Sequence, residues 1–356
     1  MEKNRICVIG AGNISNTRHI PALKKNKRVE IVGIISDEEK KINRTLSNHN
    51  DLAQCSQLLV DSTKDIFEQL DKCEWFMNNV DAVIIGTPPK QHFPMVKACL
   101  LTGKHVLVEK PMMMSVEQCS EVIELADSKK LMLNIMHSFQ FSNGMCELYR
   151  RYNSGEFGEI QSILELQLSN RDRRLPVWYN DLPLGLFYDE AAHFFYSARK
   201  FGGELKVVNA HAAFNAEGDN TPRFLEAQLM SGNVPVQMYM NFNSPICEWG
   251  FILICKKEIA IYDYFKDILI VLKNDGQHLA KDVLRTSVNF SKDFWLGFIK
   301  NGFKMISHKL LYGHDVCINK FLDSIESGET CFELSAQLGK EVVGAMNEVV
   351  RYAKEK

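Results

Sequence analysis

Apolar positions in the first 137 residues fall into short β-branched runs, alternating with segments whose apolar residues recur every three or four positions. That rhythm predicts βαβ units and a parallel sheet. Six strands are read, at 5–9, 29–35, 57–60, 81–86, 105–109 and 131–136. The fourth, DAVIIG, is nearly continuous in apolar residues, as expected of a strand covered by helices on both faces. Segment 91–101 carries apolar residues at 93, 96, 99 and 100 and reads as a crossover helix, with Pro94 tolerated in its first turn.

From about residue 139 the pattern changes to longer alternating runs, such as IQSILELQL at 160–168 and PVQMYMNF at 235–242. These predict a mostly antiparallel sheet. Helical spacing returns over 316–353, where Phe321, Leu322, Ile325, Val342, Val343, Met346 and Val350 share a face. The chain therefore reads as α/β with two domains, 1–137 and 138–356. Segment 277–314 stands apart, with six Lys or Arg against two Asp, interleaved with Phe290, Phe294, Trp295, Phe298 and Phe303. Such a basic amphipathic helix either packs on its own sheet or a second subunit with its lysines in water, or lies on a membrane surface.

Composition narrows the classes. With 42 Lys plus Arg against 44 Asp plus Glu, the net charge of −2 supplies no overall field for nucleic acid. The opening MEKNRICVIGAG offers an apolar run too short for a signal-peptide core, and no stretch has the length of a membrane span, so a soluble cytoplasmic protein is expected. Ten scattered cysteines form no Cys-x-x-Cys pair and have no His neighbours at ligand spacing; no metal site is expected, and their usage fits a reducing compartment.

Candidate chemistry begins at Gly10-Ala11-Gly12-Asn13-Ile14-Ser15, which follows the first strand and opens a helix. This is the setting of a Rossmann dinucleotide fingerprint: Gly10 for the turn, Gly12 for close approach of a pyrophosphate, then unpaired helix N–H groups. Ser15 stands at the third glycine position. After the second strand come Ser36 and Asp37, with Lys40 and Lys41 one turn on. A carboxylate there accepts from the ribose 2′-OH and favours NAD, while the serine and lysines leave NADP open.

Four motifs in order, GAGNISNTRHIPAL at 10–23, TPPKQH at 87–92, GKHVLVEKP at 103–111 and D-x-x-x-H at 189–193, make the chain resemble the glucose-fructose oxidoreductase, inositol dehydrogenase and MocA (Gfo/Idh/MocA) family of NAD(P)-dependent oxidoreductases. The resemblance covers most of the chain and is strongest before residue 200. It implies a Rossmann dinucleotide-binding domain followed by an α+β domain with an open, mostly antiparallel sheet for substrate binding and oligomerisation, as a homodimer or homotetramer. Lys110, Asp189 and His193 are implied as the catalytic group, with a commonly cis bond between Lys110 and Pro111. Cofactor contacts are implied at Gly10, Gly12, Asn13, Ile14, Ser36, Asp37, Thr87, Pro88, His92, Glu109 and Lys110. The chain departs from the family at Ala191, usually glycine, at Tyr196, frequently Asp, and at Gln140, often Arg.

Asp189 and His193 are four apart and share a helical face with Tyr196 and Lys200, opposite Phe187, Ala191, Phe194 and Ala198. On spacing alone such a stripe is ordinary surface; the resemblance makes it a site. The loop SNRDRRLPVWYNDLPLG carries Arg171, Arg173, Arg174, Trp178 and Tyr179. Guanidinium groups suit phosphate and aromatic faces suit sugar rings. Arg171, Arg173, Trp178 and Tyr196 are thus candidate contacts for a sugar or nucleotide sugar. Rival readings are a dihydrodiol- or biliverdin-type reductase, and a dinucleotide-sensing protein without turnover.

Overall fold

The computed structural model describes residues 3–173, 175–216, 218–307 and 309–355. By contacts the chain divides into one unit of Met1–Ser138 with Gly313–Gly344 and a second of Phe139–Tyr312 with Ala345–Lys356.

The first unit runs β1 (Asn4–Ile9), α1 (Ile20–Lys25), β2 (Val29–Ser36), α2 (Glu39–Asn48), β3 (Ser56–Leu59), α3 (Ile66–Asp71), α4 (Glu74–Asn79), β4 (Ala82–Ile85), α5 (His92–Leu101), β5 (His105–Val108), α6 (Val116–Lys129) and β6 (Leu133–Ile135). The six strands form one parallel sheet in the order β3-β2-β1-β4-β5-β6, the doubly wound arrangement expected of alternating strand and helix. Ile6–Ile9 of β1 lie beside Ala82–Ile85 of β4, and all four residues of β4 are buried. Local chemistry fixes the helix starts: the Asp65 carboxylate accepts from Glu68 N–H before α3, and the Ser115 hydroxyl from Gln118 N–H before α6.

The second unit contains α7 (Asn143–Asn153), β7 (Ile160–Leu168), α8 (Leu186–Glu190), α9 (Ala192–Gly202), β8 (Leu205–Ala213), β9 (Phe224–Ser231), β10 (Val234–Asn241), β11 (Glu248–Cys255), β12 (Glu258–Asp263), β13 (Ile268–Lys273) and α10 (Ala280–Ile306). Its sheet has the order β13-β12-β11-β7-β10-β9-β8 and is antiparallel except between β10 and β7. Helix α10 covers the edge strand β13: Asp293 accepts from Val271 N–H, and the Asn301 amide donates to Asp267 O. In β7 the leucines Leu164 and Leu166 face outward while Glu165 and Gln167 are buried, the reverse of what alternation in hydropathy predicts.

Helices α11 (His314–Ser327) and α12 (Ala336–Lys354) follow, and most of their residues return to the first unit. Among the described residues no helix is long and apolar enough to cross a membrane.

Candidate functional site

The glycine turn after β1 is sterically determined. Gly10 has φ +92°, and a Cβ there would sit 2.7 Å from Gly86 O, so only glycine fits beside β4. Nothing lies within 4 Å of where a Gly12 Cβ would be, which leaves the loop open to a ligand at that point. Chain becomes helical at Asn13 and Ile14. Ser15, at the third glycine position, is buried and donates from Oγ to Gly10 O at 2.5 Å, so the substitution ties the turn back on itself.

Beside this turn lies a cavity of about 550 Å³ whose walls include Gly10, Ser36, Asp37, Thr87, Lys64 and Lys90. Its size suits part of a dinucleotide. Ser36 closes β2 almost fully buried, and Asp37, just beyond it, meets Lys41 at 3.2 Å. A carboxylate, a strained glycine turn and an open approach at Gly12 are features a dinucleotide's ribose and pyrophosphate would use.

Two expected cofactor contacts are turned inward instead. His92, with no exposure, holds its ring nitrogens 2.8 Å from Pro111 O and 2.9 Å from Thr87 O, tying the loop after β4 to the loop after β5. Pro88 precedes the short turn Pro89–Gln91 that leads into α5. Glu109 directs Oε1 at His19 Nε2, 2.9 Å away, with His314 Nε2 at 3.6 Å, while Oε2 accepts from Lys110 N–H at 3.2 Å. Burial alone would raise the Glu109 carboxyl; hydrogen bonds from His19 and His314 outweigh it and hold the group well below its ordinary value. The ionised carboxylate thus clamps the backbone of Lys110, the next residue, whose bond to Pro111 is cis. His19, Glu109 and His314 offer ligand atoms within 4.8 Å of one another. They could hold a metal ion, but the hydrogen bonds already satisfy the carboxylate without one.

Burial lowers the pKa of His19 despite Glu109, and lowers that of His137, which faces Glu333 O at 3.2 Å, to about 4. Both rings are therefore neutral in the fold at pH 7. Because the unfolded chain protonates His137 near pH 6.5, it binds more protons there than the fold between pH 6.5 and about 4, and stability falls as pH drops through that window; His19 acts in the same direction. Each such histidine contributes up to about 1.4 kcal/mol per pH unit. Unfolding free energies from denaturant titration at pH 7.5 and 5 are expected to differ by about 2 kcal/mol on account of His137 alone. The His137→Gln variant should show a correspondingly shallower dependence; an unchanged slope would refute the assignment.

In the second unit, α8 and α9 meet at Ala191, so Asp189 and His193 straddle a junction in the helix. Asp189 is half-buried; His193 and Tyr196 are buried, not on a solvated stripe. His193 Nδ1 lies 2.7 Å from the Tyr196 hydroxyl, which accepts from Phe139 N–H at 3.1 Å. Phe139 packs edge-on against the imidazole at 4.8 Å and Trp249 tilts against it at 5.6 Å. Tyr196, expected to contact substrate, has no exposure and reaches His193 instead. It holds the ring at its Nδ1 edge.

Arg173, expected as a phosphate contact, is also committed inside: its guanidinium pairs with buried Glu190, whose other oxygen accepts from Ser169 Oγ at 3.2 Å and from the Gln167 amide. Arg171 is exposed, with Nε donating to Phe242 O at 3.2 Å. Trp178 and Tyr179 are half-buried in the turn Val177–Asp181, which the Asn220 amide tethers through Asn180 O. Arg174 lies outside the described residues. Sequence reasoning missed His314 entirely, since nothing local links it to Glu109, 205 positions earlier. His19 sits inside the first motif, four residues after Ser15, but carries no signal of its partner.

Residues 4–137 match the GFO_IDH_MocA family model, described as an oxidoreductase family with an NAD-binding Rossmann fold. The oxidoreductase YdgJ of Escherichia coli is 29% identical over 156 residues, 44% of this chain and 40% of that protein. A dTDP-3,4-didehydro-2,6-dideoxy-alpha-D-glucose 3-reductase of Streptomyces antibioticus is 29% identical over 164 residues, 45% of this chain and 44% of that one. The chain spans about two fifths of the length of the curated relatives it matches. Across its whole length the fold resembles UDP-N-acetylglucosamine 3-dehydrogenase GnnA of Acidithiobacillus ferrooxidans, with TM-score 0.72, 15% identity and coverage of 100% and 99% of the two chains. Glycine turn, strand order and family match agree: residues 4–137 match the Gfo/Idh/MocA oxidoreductase family and carry its NAD-binding Rossmann fold.

Proposed function

We propose that the protein is an NAD(P)-dependent oxidoreductase that transfers a hydride between nicotinamide and a ring carbon of a sugar or nucleotide sugar. Residues 1–137 would hold the cofactor, and residues 138–356 would supply substrate contacts. The observation that carries this reading is the Glu109 clamp, which fixes the backbone of Lys110 just beyond the carboxyl end of β5, where open α/β sheets bind ligands. The nicotinamide, when bound, accepts or gives the hydride. As the alcohol carbon loses hydride, His193 takes the hydroxyl proton, Asp189 supports the resulting cation, and the Lys110 ammonium stabilises developing alkoxide charge. In reduction the same groups return the proton.

Asp37 at the cavity wall favours NAD, because its carboxylate would accept from the ribose hydroxyls and repel a 2′-phosphate. Fluorescence titration of cofactor-stripped protein with NADH and with NADPH tests this. Saturable binding at micromolar concentration is expected, tighter for NADH, with the preference reversed or lost in Asp37→Ser. No binding of either nucleotide would overturn the enzyme reading and leave a fold without turnover. The relatives' nucleotide-sugar chemistry and the arginine and aromatic residues of 169–185 support the substrate class. The outward leucines of β7 support a homodimer or homotetramer through the sheet, which equilibrium sedimentation would measure.

A further inference from the structure

Helix α10 buries only one side. Its inner face lies on β13, with Gly297 against Ile268 and Asp293 on the backbone of Val271. Along the opposite side Leu284, Val288, Trp295, Ile299, Phe303 and Ile306 recur at helical spacing and are between 56 and 82% exposed. At about 1.5 Å per residue, the row from Leu284 to Ile306 makes a strip about 33 Å long. Chains that remain apart in water rarely expose so continuous an apolar row.

The charges around the strip have one sign. Lys281, Arg285, Lys292 and Lys300 are all exposed. Both acidic residues of the helix are spent on the protein itself: Asp282 accepts from Leu279 N–H and meets Arg285 at 3.4 Å, and Asp293 accepts from the β13 backbone. In a chain of net charge −2 this positive border is local.

We propose that the outer face of α10 docks on an anionic phospholipid surface, lying in the plane of the interface with its apolar row among the acyl chains. Aromatic and leucine side chains enter the headgroup boundary, and lysines along the strip meet lipid phosphates and carboxylates. Charge complementarity selects this occupant. A second copy meeting the same face across a two-fold axis would bring lysine rows together with no carboxylate in the face to answer them. The helix is not a span; it binds from one side.

The test uses the full-length protein with sedimenting vesicles of phosphatidylcholine alone or mixed with phosphatidylserine. The protein is expected to pellet mainly with the phosphatidylserine vesicles at low salt, and to be released at high salt. Phe303→Ser with Ile306→Ser, and separately Lys292→Glu with Lys300→Glu, should each abolish pelleting while circular dichroism and NADH titration stay unchanged, since these side chains are exposed. Brominated lipid should quench tryptophan emission in the parent and not in Trp295→Phe. Failure of the parent protein to pellet overturns the proposal. So does a concentration-dependent dimer that both pairs of substitutions dissociate, which would make a second copy the occupant.

Discussion

Lys110→Met and His193→Asn are each expected to lower turnover by about 10²- to 10⁴-fold, with dinucleotide affinity little changed. Methionine keeps most of the length of Lys110 and removes its charge. The clamp survives, because Glu109 holds the backbone N–H of residue 110 and not its side chain. Asparagine keeps polarity at 193 but has no nitrogen that can take and return a proton near neutrality. Neither residue lines the cavity beside the glycine turn, so NADH titration should separate binding from chemistry. Glu109→Gln gives the complementary result: it removes the charge that His19 and His314 face, and should loosen the loop and reduce turnover with Lys110 intact. Near-normal turnover in both Lys110→Met and His193→Asn would remove these residues from the mechanism.

The parallel sheet was legible because its strands are short, apolar and each followed by a helix, so period alone separates them; strand limits differ from the expected ones by one or two residues. Weakest in pattern was β3, whose residues are only half-buried or exposed at the sheet's edge. In β7, hydropathy pointed the wrong way. Leu164 and Leu166 look outward, and Glu165, with neither carboxylate oxygen hydrogen-bonded, is buried and pushed well above its ordinary pKa by that burial. Alternation gives the period of a strand, but which face is covered depends on what packs there.

Candidate residues were legible where one motif holds a residue and its partner, as with Gly10 and Ser15. They were not where partners come from distant elements. Thr87, His92 and Pro111 form one tie, and Glu109 joins His19 to His314. Tyr196 was assigned outward on helical phase, but phase cannot show that Phe139 and His193 enclose its hydroxyl.

Arg173 and Glu190 yield the largest expected effect on stability. Arg173→Leu takes the guanidinium away from a carboxylate that stays buried inside the second unit with its Ser169 and Gln167 bonds. Breaking a buried pair from one side costs about 3 kcal/mol, because the remaining charge stays desolvated. Denaturant unfolding should show that loss, and Glu190→Gln added to Arg173→Leu should recover much of it, since an amide needs no counter-charge. Substrate recognition separates from this. On the proposed substrate class, Arg171, exposed at the same loop, would meet the diphosphate, so Arg171→Ala is expected to raise KM for diphosphate-bearing sugars and leave unfolding unchanged. If Arg173→Leu instead raises KM with stability intact, the pair with Glu190 is not what holds it, and both arginines belong to the substrate.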